Sequence, residues 1–322
     1  MPPRSIIDDR LSTVTWRITL AMAVLAAIAL NITGLSVRVE LSASTLVIIS
    51  GYAALAIYCR FVRQNVEVAR ALIGFGQLVS VIVLGIMLNY AVSTVALPFR
   101  DAELYAIDRW LGFERESYIA FLRQHDGLLK LLYCAYSSLL FQNIFVLLAT
   151  IIARRIDRLQ MYIVAFAIAV TATAAIVIFI PAASAMIYVD KVPLDISTLS
   201  DGGHNHYPVL AGLRNGTLRV VDFSCVEGLI TFPSFHTANA LLFVWALWPV
   251  RSSLRLILVP LNLLLIASTP LFGAHYVTDI VGGVAVTFGA VVAANWLARK
   301  TSASERLAGA ITASQAASPV NR

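Results

Sequence analysis

The stretch ALIGFGQLVSVIVLGIMLNYAVSTVAL, residues 71–97, runs its whole length without an Asp, Glu, Lys or Arg. An α-helix rises 1.5 Å per residue, so roughly 20 such residues cross the ~30 Å hydrocarbon core of a bilayer. Lipid offers no partner to a bare N–H or C=O, so the chain must satisfy its own backbone there, and a helix does so locally. This stretch therefore predicts a membrane-spanning helix.

Seven more segments of the same kind flank it, at 18–37, 41–59, 128–152, 159–188, 228–250, 254–272 and 277–298. The alternating pattern of a β-barrel is absent. The expected fold is all-α: a polytopic membrane protein of about eight helices forming one domain over 1–298, with a polar tail over 299–322 expected to be disordered. Segments 71–97 and 159–188 exceed the minimum length, which predicts tilt, protrusion or a kink, with Pro181 the candidate. The first segment is longer than a signal-peptide core and reads as a retained anchor. Composition agrees: 59% of the 322 residues are hydrophobic and 13% charged, against roughly 25% charged in soluble domains. Cys59, Cys134 and Cys225 are scattered and read as apolar filler, not as a disulfide framework.

Basic residues set an orientation. With the amino terminus inside, fifteen of the 24 Lys and Arg fall on the inner side, and each short inner loop carries at least two, as in Arg60–Arg63–Arg70 and Arg154–Arg155–Arg158. The two short outer connections hold only Arg38 between them, and the other outer basic residues lie in two long loops. This positive-inside bias predicts cytoplasmic termini in a cell membrane. The net charge of +6 is thus topological and implies no nucleic-acid partner. All five histidines, His125, His204, His206, His236 and His275, then fall at the outer face.

Two stretches there carry chemistry. In STPLFGAHYVTDIVGG, residues 268–283, His275 and Asp279 are four apart, on one face of a helix. Asp279 either orients the imidazole through a hydrogen bond or merely complements the positive end of the helix dipole. In TFPSFHT, residues 231–237, Pro233 suits a first helical turn and Ser234 an N-cap. The N–H groups around Phe235 and His236 would form an anion-binding end, with His236 poised to protonate a leaving oxygen. The plainer alternative is a capping serine beside an interfacial histidine.

Taken together these residues resemble the type-2 phosphatidic acid phosphatase superfamily. Pro233, Ser234 and His236 match its Pro-Ser-Gly-His motif, with Phe235 in place of glycine. Ser268, His275 and Asp279 match its third motif, with Thr269 where arginine is expected. FPSFHT and HYVTDIVGG look most like the branch containing inositol phosphorylceramide synthases. The resemblance covers about 71–298, six helices, and makes the helices at 18–59 an addition. It implies attack on phosphorus by His275, oriented by Asp279, with His236 protonating the leaving group, a phosphohistidine intermediate and no metal or other cofactor. The partner implied is a lipid phosphate, a diphosphate or a phospholipid headgroup in the surrounding membrane lipids, and the outcome is either hydrolysis or transfer to an acceptor alcohol.

The family's first motif, a lysine followed by Arg-Pro, is missing. Arg214 and then Arg219 are the candidate phosphate-binding substitutes, or else ordinary loop charges. His204 and His206 are candidate headgroup contacts, metal ligands or loop structure. The stretch at 101–126 mixes aromatic and charged residues as an interfacial helix does. The rival reading is a transporter, which usually buries ionisable groups at mid-membrane. The spans here hold Asn31, Gln77, Asn89, Gln142, Asn143 and Asn262 but no clear mid-span charge.

Overall fold

A computed structural model describes residues 4–38, 43–62, 66–190 and 206–317. The chain forms twelve α-helices there. They are α1 (Arg4–Thr33), α2 (Ala43–Ile57), α3 (Val66–Ser93), α4 (Asp101–Trp110), α5 (Arg115–Arg123), α6 (Asp126–Ser137), α7 (Leu139–Ile152), α8 (Ile156–Phe179), α9 (His206–Asn215), α10 (Phe235–Leu247), α11 (Ser252–Phe272) and α12 (Val277–Ala317). Two three-residue strands, β1 (Ser36–Arg38) and β2 (Val220–Asp222), pair in parallel with Ser36 opposite Val220. They tie the exit of α1 to the loop that leads into α10.

The all-α membrane architecture is as the apolar runs require. Among the described residues five helices are long and apolar enough to cross a bilayer, α6 and α7, bent by 54° at their junction, pass the same test only as a pair, and 49–62 and α10 are shorter apolar helices. Each of the eight apolar segments thus lies on a helix or helix pair, but not all are full-length spans. The segment at 228–250 is helical only from Phe235, because Gly228–Ser234 forms a loop over the site. The segment at 159–188 breaks after Phe179, just ahead of Pro181, and resumes as a π-turn over Met186–Asp190. A proline lacks the N–H that would continue the ladder and disfavours helix before it. The tail departs from expectation: α12 continues to Ala317. Its Ala-rich sequence carries helix propensity that polarity alone does not reveal.

Helix α8 is the central member. Leu159, Tyr162, Ile163, Val164, Ala165, Ala167 and Ala169 are wholly buried, packed among α1, α3, α7, α10 and α12. Outward-facing residues such as Leu256 and Ile257 on α11 and Phe288 on α12 remain exposed, the apolar coat that lipid covers. The polar residues within the spans tie helices together. Gln160 accepts from Thr15 and donates to Gln77 (2.8 Å each), Asn262 donates to Gln142 (2.8 Å), and the Tyr162 hydroxyl bridges Asn143 and Asn239 at 2.7 and 3.0 Å. Interhelical hydrogen bonds of this kind act as glue in lipid.

Candidate active site

Chain reversal between α11 and α12 takes four residues, Gly273–Tyr276, and His275 stands inside that turn. The Thr269 carbonyl accepts from the N–H groups of Gly273 and His275 at 3.0 and 3.2 Å. Ala274 is held at φ +51°, a left-handed conformation that a residue with a Cβ adopts at a cost. The Ala185 N–H braces it by donating to the Ala274 carbonyl. A Cβ on Gly273 would lie 2.6 Å from the His275 ring, so glycine is what leaves room for the imidazole.

Asp279 accepts from His275 Nδ1 at 3.0 Å and from the Tyr276 N–H at 2.9 Å, both through Oδ2. The pair is buried, His275 at 2% and Asp279 at 0% exposure. Burial holds the His275 imidazole below its ordinary pKa, helped by positive charge from His206 and Arg115 and opposed by the Thr231 carbonyl. Burial thus favours the neutral ring, with Nδ1 engaged by Asp279 and Nε2 the nitrogen on the opposite side.

Ser234 caps α10, its side chain accepting from the Thr237 N–H at 3.3 Å. Pro233 lies one position before this cap, not in the first turn. Among the described residues no acceptor meets the N–H groups of Phe235 and His236, the two amides that open the helix. The Ser234 N–H donates to the Asp279 carbonyl at 3.0 Å, joining the two stretches directly. Glycines make that approach feasible: a Cβ on Gly283 would lie 2.5 Å from the Ser234 carbonyl, and one on Gly282 2.9 Å from Pro233. The closing VGG of the second stretch is thus a packing requirement. The result brings the His236 and His275 rings to 5.7 Å between centroids, edge to face. Tyr136 of α6 stacks on the far side of His236 at 4.7 Å.

The two candidate arginines are engaged by backbone carbonyls. Arg214 donates to the carbonyls of Val95 and Leu97 and stacks on Phe99. Arg219 donates to the Thr33 carbonyl at the end of α1. His206 places its ring nitrogens 2.7 and 3.0 Å from the Gly228 and Ala183 carbonyls, and His125 packs on Phe121. His204 falls outside the described residues.

What the sequence did not disclose is the clamp from 101–126. This stretch forms α4 and α5, and one face of α4 points inward. Asp101 accepts from the Ala183 and Ser184 N–H groups (2.8 and 3.1 Å) and from the Tyr276 hydroxyl (2.8 Å). Asp108 caps α12 from outside, accepting from the N–H groups of Val277 and Thr278 at 2.8 Å each. Arg115, 2% exposed, grips Asp190 through Nε and a terminal nitrogen (3.0–3.2 Å) and donates to the Pro270 carbonyl. One signal was available: Asp101, Leu104 and Asp108, at i, i+3 and i+7, share a helix face with a buried leucine, spacing that a solvated surface helix does not need.

A helical membrane bundle that closes two distant histidines around a capped helix end, one imidazole backed by a carboxylate, has the parts of a phosphoryl-transfer enzyme. The chain belongs to the PAP2 superfamily, which matches residues 102–293, more than half its length. The match begins in α4, one residue after Asp101, and includes Asp108, Arg115, Asp190 and the histidine pair. No curated protein and no solved structure matches the chain.

Proposed function

We propose that the protein is a lipid phosphatase or phosphotransferase working through a phosphohistidine on His275 at the non-cytoplasmic face of the membrane. The observation that carries this is the His236–His275 pair at 5.7 Å with Asp279 on His275 Nδ1. The His275 Nε2 lone pair attacks phosphorus and an N–P bond forms. The P–O bond to the lipid alcohol or phosphate breaks, its electron pair stays on the departing oxygen, and His236, which takes up a proton when the anionic phosphate binds beside it, supplies that proton. Neutral His236 then takes a proton from water or from an acceptor alcohol, whose oxygen displaces nitrogen and restores His275. The two amides at the start of α10 and the Ser234 hydroxyl face the phosphoryl oxygens. Arg115, whose charge reaches His275, supplies the cation in place of the missing first motif; Arg214 and Arg219 serve the loop.

The resemblance of FPSFHT and HYVTDIVGG to the inositol phosphorylceramide synthase branch favours transfer over hydrolysis. Both share the first step and differ only in what fills the second. A panel of lipid phosphates and phospholipids, assayed with and without acceptor alcohols for free phosphate and new lipid, separates them. Turnover is expected to vanish in His275→Ala; full turnover in that variant would remove the nucleophile assigned here.

A further inference from the structure

Beside His236, between α3 and α8, lies a cavity of about 180 Å³. Its walls repeat at helical spacing on both sides: Ile82, Ile86 and Asn89 from α3 face Phe166, Val170 and Thr173 from α8. Its mouth is closed by Phe235 and His236, so the cavity opens on the proton donor of the reaction. A Cβ on Gly85 would lie 2.7 Å from Val170, so the two helices approach closely midway along the cavity.

Two polar atoms in this apolar wall have no partner among the described residues: Asn89 Oδ1 and Thr173 Oγ1 are buried and unbonded there. Thr173 is 3% exposed. Other threonines in the spans settle the same problem locally, Thr150, Thr171 and Thr287 each donating to the carbonyl four residues back. A buried unpaired oxygen costs about 1–3 kcal/mol, so two of them on residues lining one cavity point to a ligand. Asn89 lies four residues from the end of α3 and Thr173 six from the end of α8, hence about 6 and 9 Å inside those ends. That depth is where the headgroup gives way to hydrocarbon.

We infer that this cavity is a lipid subsite in which Asn89 and Thr173 read a hydroxyl or N–H group carried a few bonds from the phosphorus atom. The inference rests on the phosphoryl-transfer reading for which end of the lipid points at His236. An Asn side-chain oxygen accepts only, whereas a Thr hydroxyl donates or accepts. The favoured lipid therefore brings a donor, and among the described residues no Asp, Glu, Lys or Arg lines the cavity. The leaving oxygen then sits at His236 and the chain continues between α3 and α8, open to the bilayer.

The test uses the full-length His275→Ala protein, in which ligands bind without turnover, and two synthetic ligands of equal chain length: dodecyl phosphate and its analogue bearing a hydroxyl on the third carbon. The hydroxylated ligand is expected to bind about tenfold more tightly, the gain of one to two hydrogen bonds. Thr173→Val together with Asn89→Leu should shrink that ratio to about one, while binding of the plain ligand shows that the variant is folded. Equal affinity in the parent, or a preference that survives the double substitution, overturns the subsite. The corresponding uncharged diol and alcohol, run in parallel, separate the two ideas. A hydroxyl preference among the neutral pair with no gain from phosphate keeps the subsite and removes the phosphate reading; a gain from phosphate with no hydroxyl preference does the reverse.

Discussion

His275 depends on a single carboxylate. In the proposed reaction Asp279 fixes which ring nitrogen carries the proton and balances the charge that develops as the ring attacks. Asp279→Asn keeps the size and loses the charge, and a comparable change in a catalytic triad costs about four orders of magnitude. A fall of about a thousandfold in phosphoryl transfer, with the thermal midpoint little changed, is the expected outcome; retention within tenfold would make Asp279 a simple helix-start acid. Burial lowers the His275 pKa, so the nucleophilic neutral form persists as pH falls and is lost only on passing below the ordinary imidazole value of about 6.5. The acid limb of kcat/KM, corrected for substrate ionisation, should lie below that value, and a limb at or above it would mean a solvated ring. Arg115 and Asp190 form a buried pair. Asp190→Asn alone should cost about 3 kcal/mol or more by stranding the guanidinium, and Arg115→Met with Asp190→Leu should recover stability. The recovered variant should still transfer phosphoryl groups at least tenfold more slowly; normal turnover would make the pair purely structural. His275, Asp279 and the Ser234 cap were legible because helix spacing and capping are local grammar. Arg115 was not, because its partners lie 75 and 155 residues away.

At the scale of the helices, the site exists because α10 and α12 touch. Gly283→Ala would drive a methyl group to 2.5 Å from the Ser234 carbonyl, parting the helices or bending both, at about 1–3 kcal/mol for overpacking. The thermal midpoint should fall, and activity should fall further, since the Ser234–Asp279 bond spans that gap. Gly289→Ala is the control, with nothing within 4 Å of an added Cβ and a helix-propensity gain on its side. Equal behaviour of the two variants would deny the close approach. The apolar runs announced these elements but not their working ends. Hydrophobicity continues through Gly228–Pro233, so composition overran the start of α10, which is set by the Ser234 cap. The caps of α12 came from Asp108, 169 residues earlier in the chain, and no periodicity within one helix reports a partner at that distance.

For the whole molecule, the bundle places α4, α5, the His275 turn and the start of α10 at one end and the short links 153–155 and 248–251 at the other. Charge alone predicts which end faces the cytoplasm: Arg154, Arg155, Arg158, Arg251 and Arg255 cluster at the second end, and the positive-inside rule favours such clusters inside. The prediction is therefore separable from the fold and from the chemistry. With Cys134 and Cys225, both exposed, replaced by serine, single cysteines at Glu116 and Ser253 report the two ends, since both positions are exposed. In intact cells a membrane-impermeant maleimide should label Glu116→Cys at once and Ser253→Cys only after permeabilisation. The reverse pattern would put the histidine pair on the cytoplasmic side and, with the site geometry untouched, change the pool of lipid phosphates it can meet from one leaflet to the other.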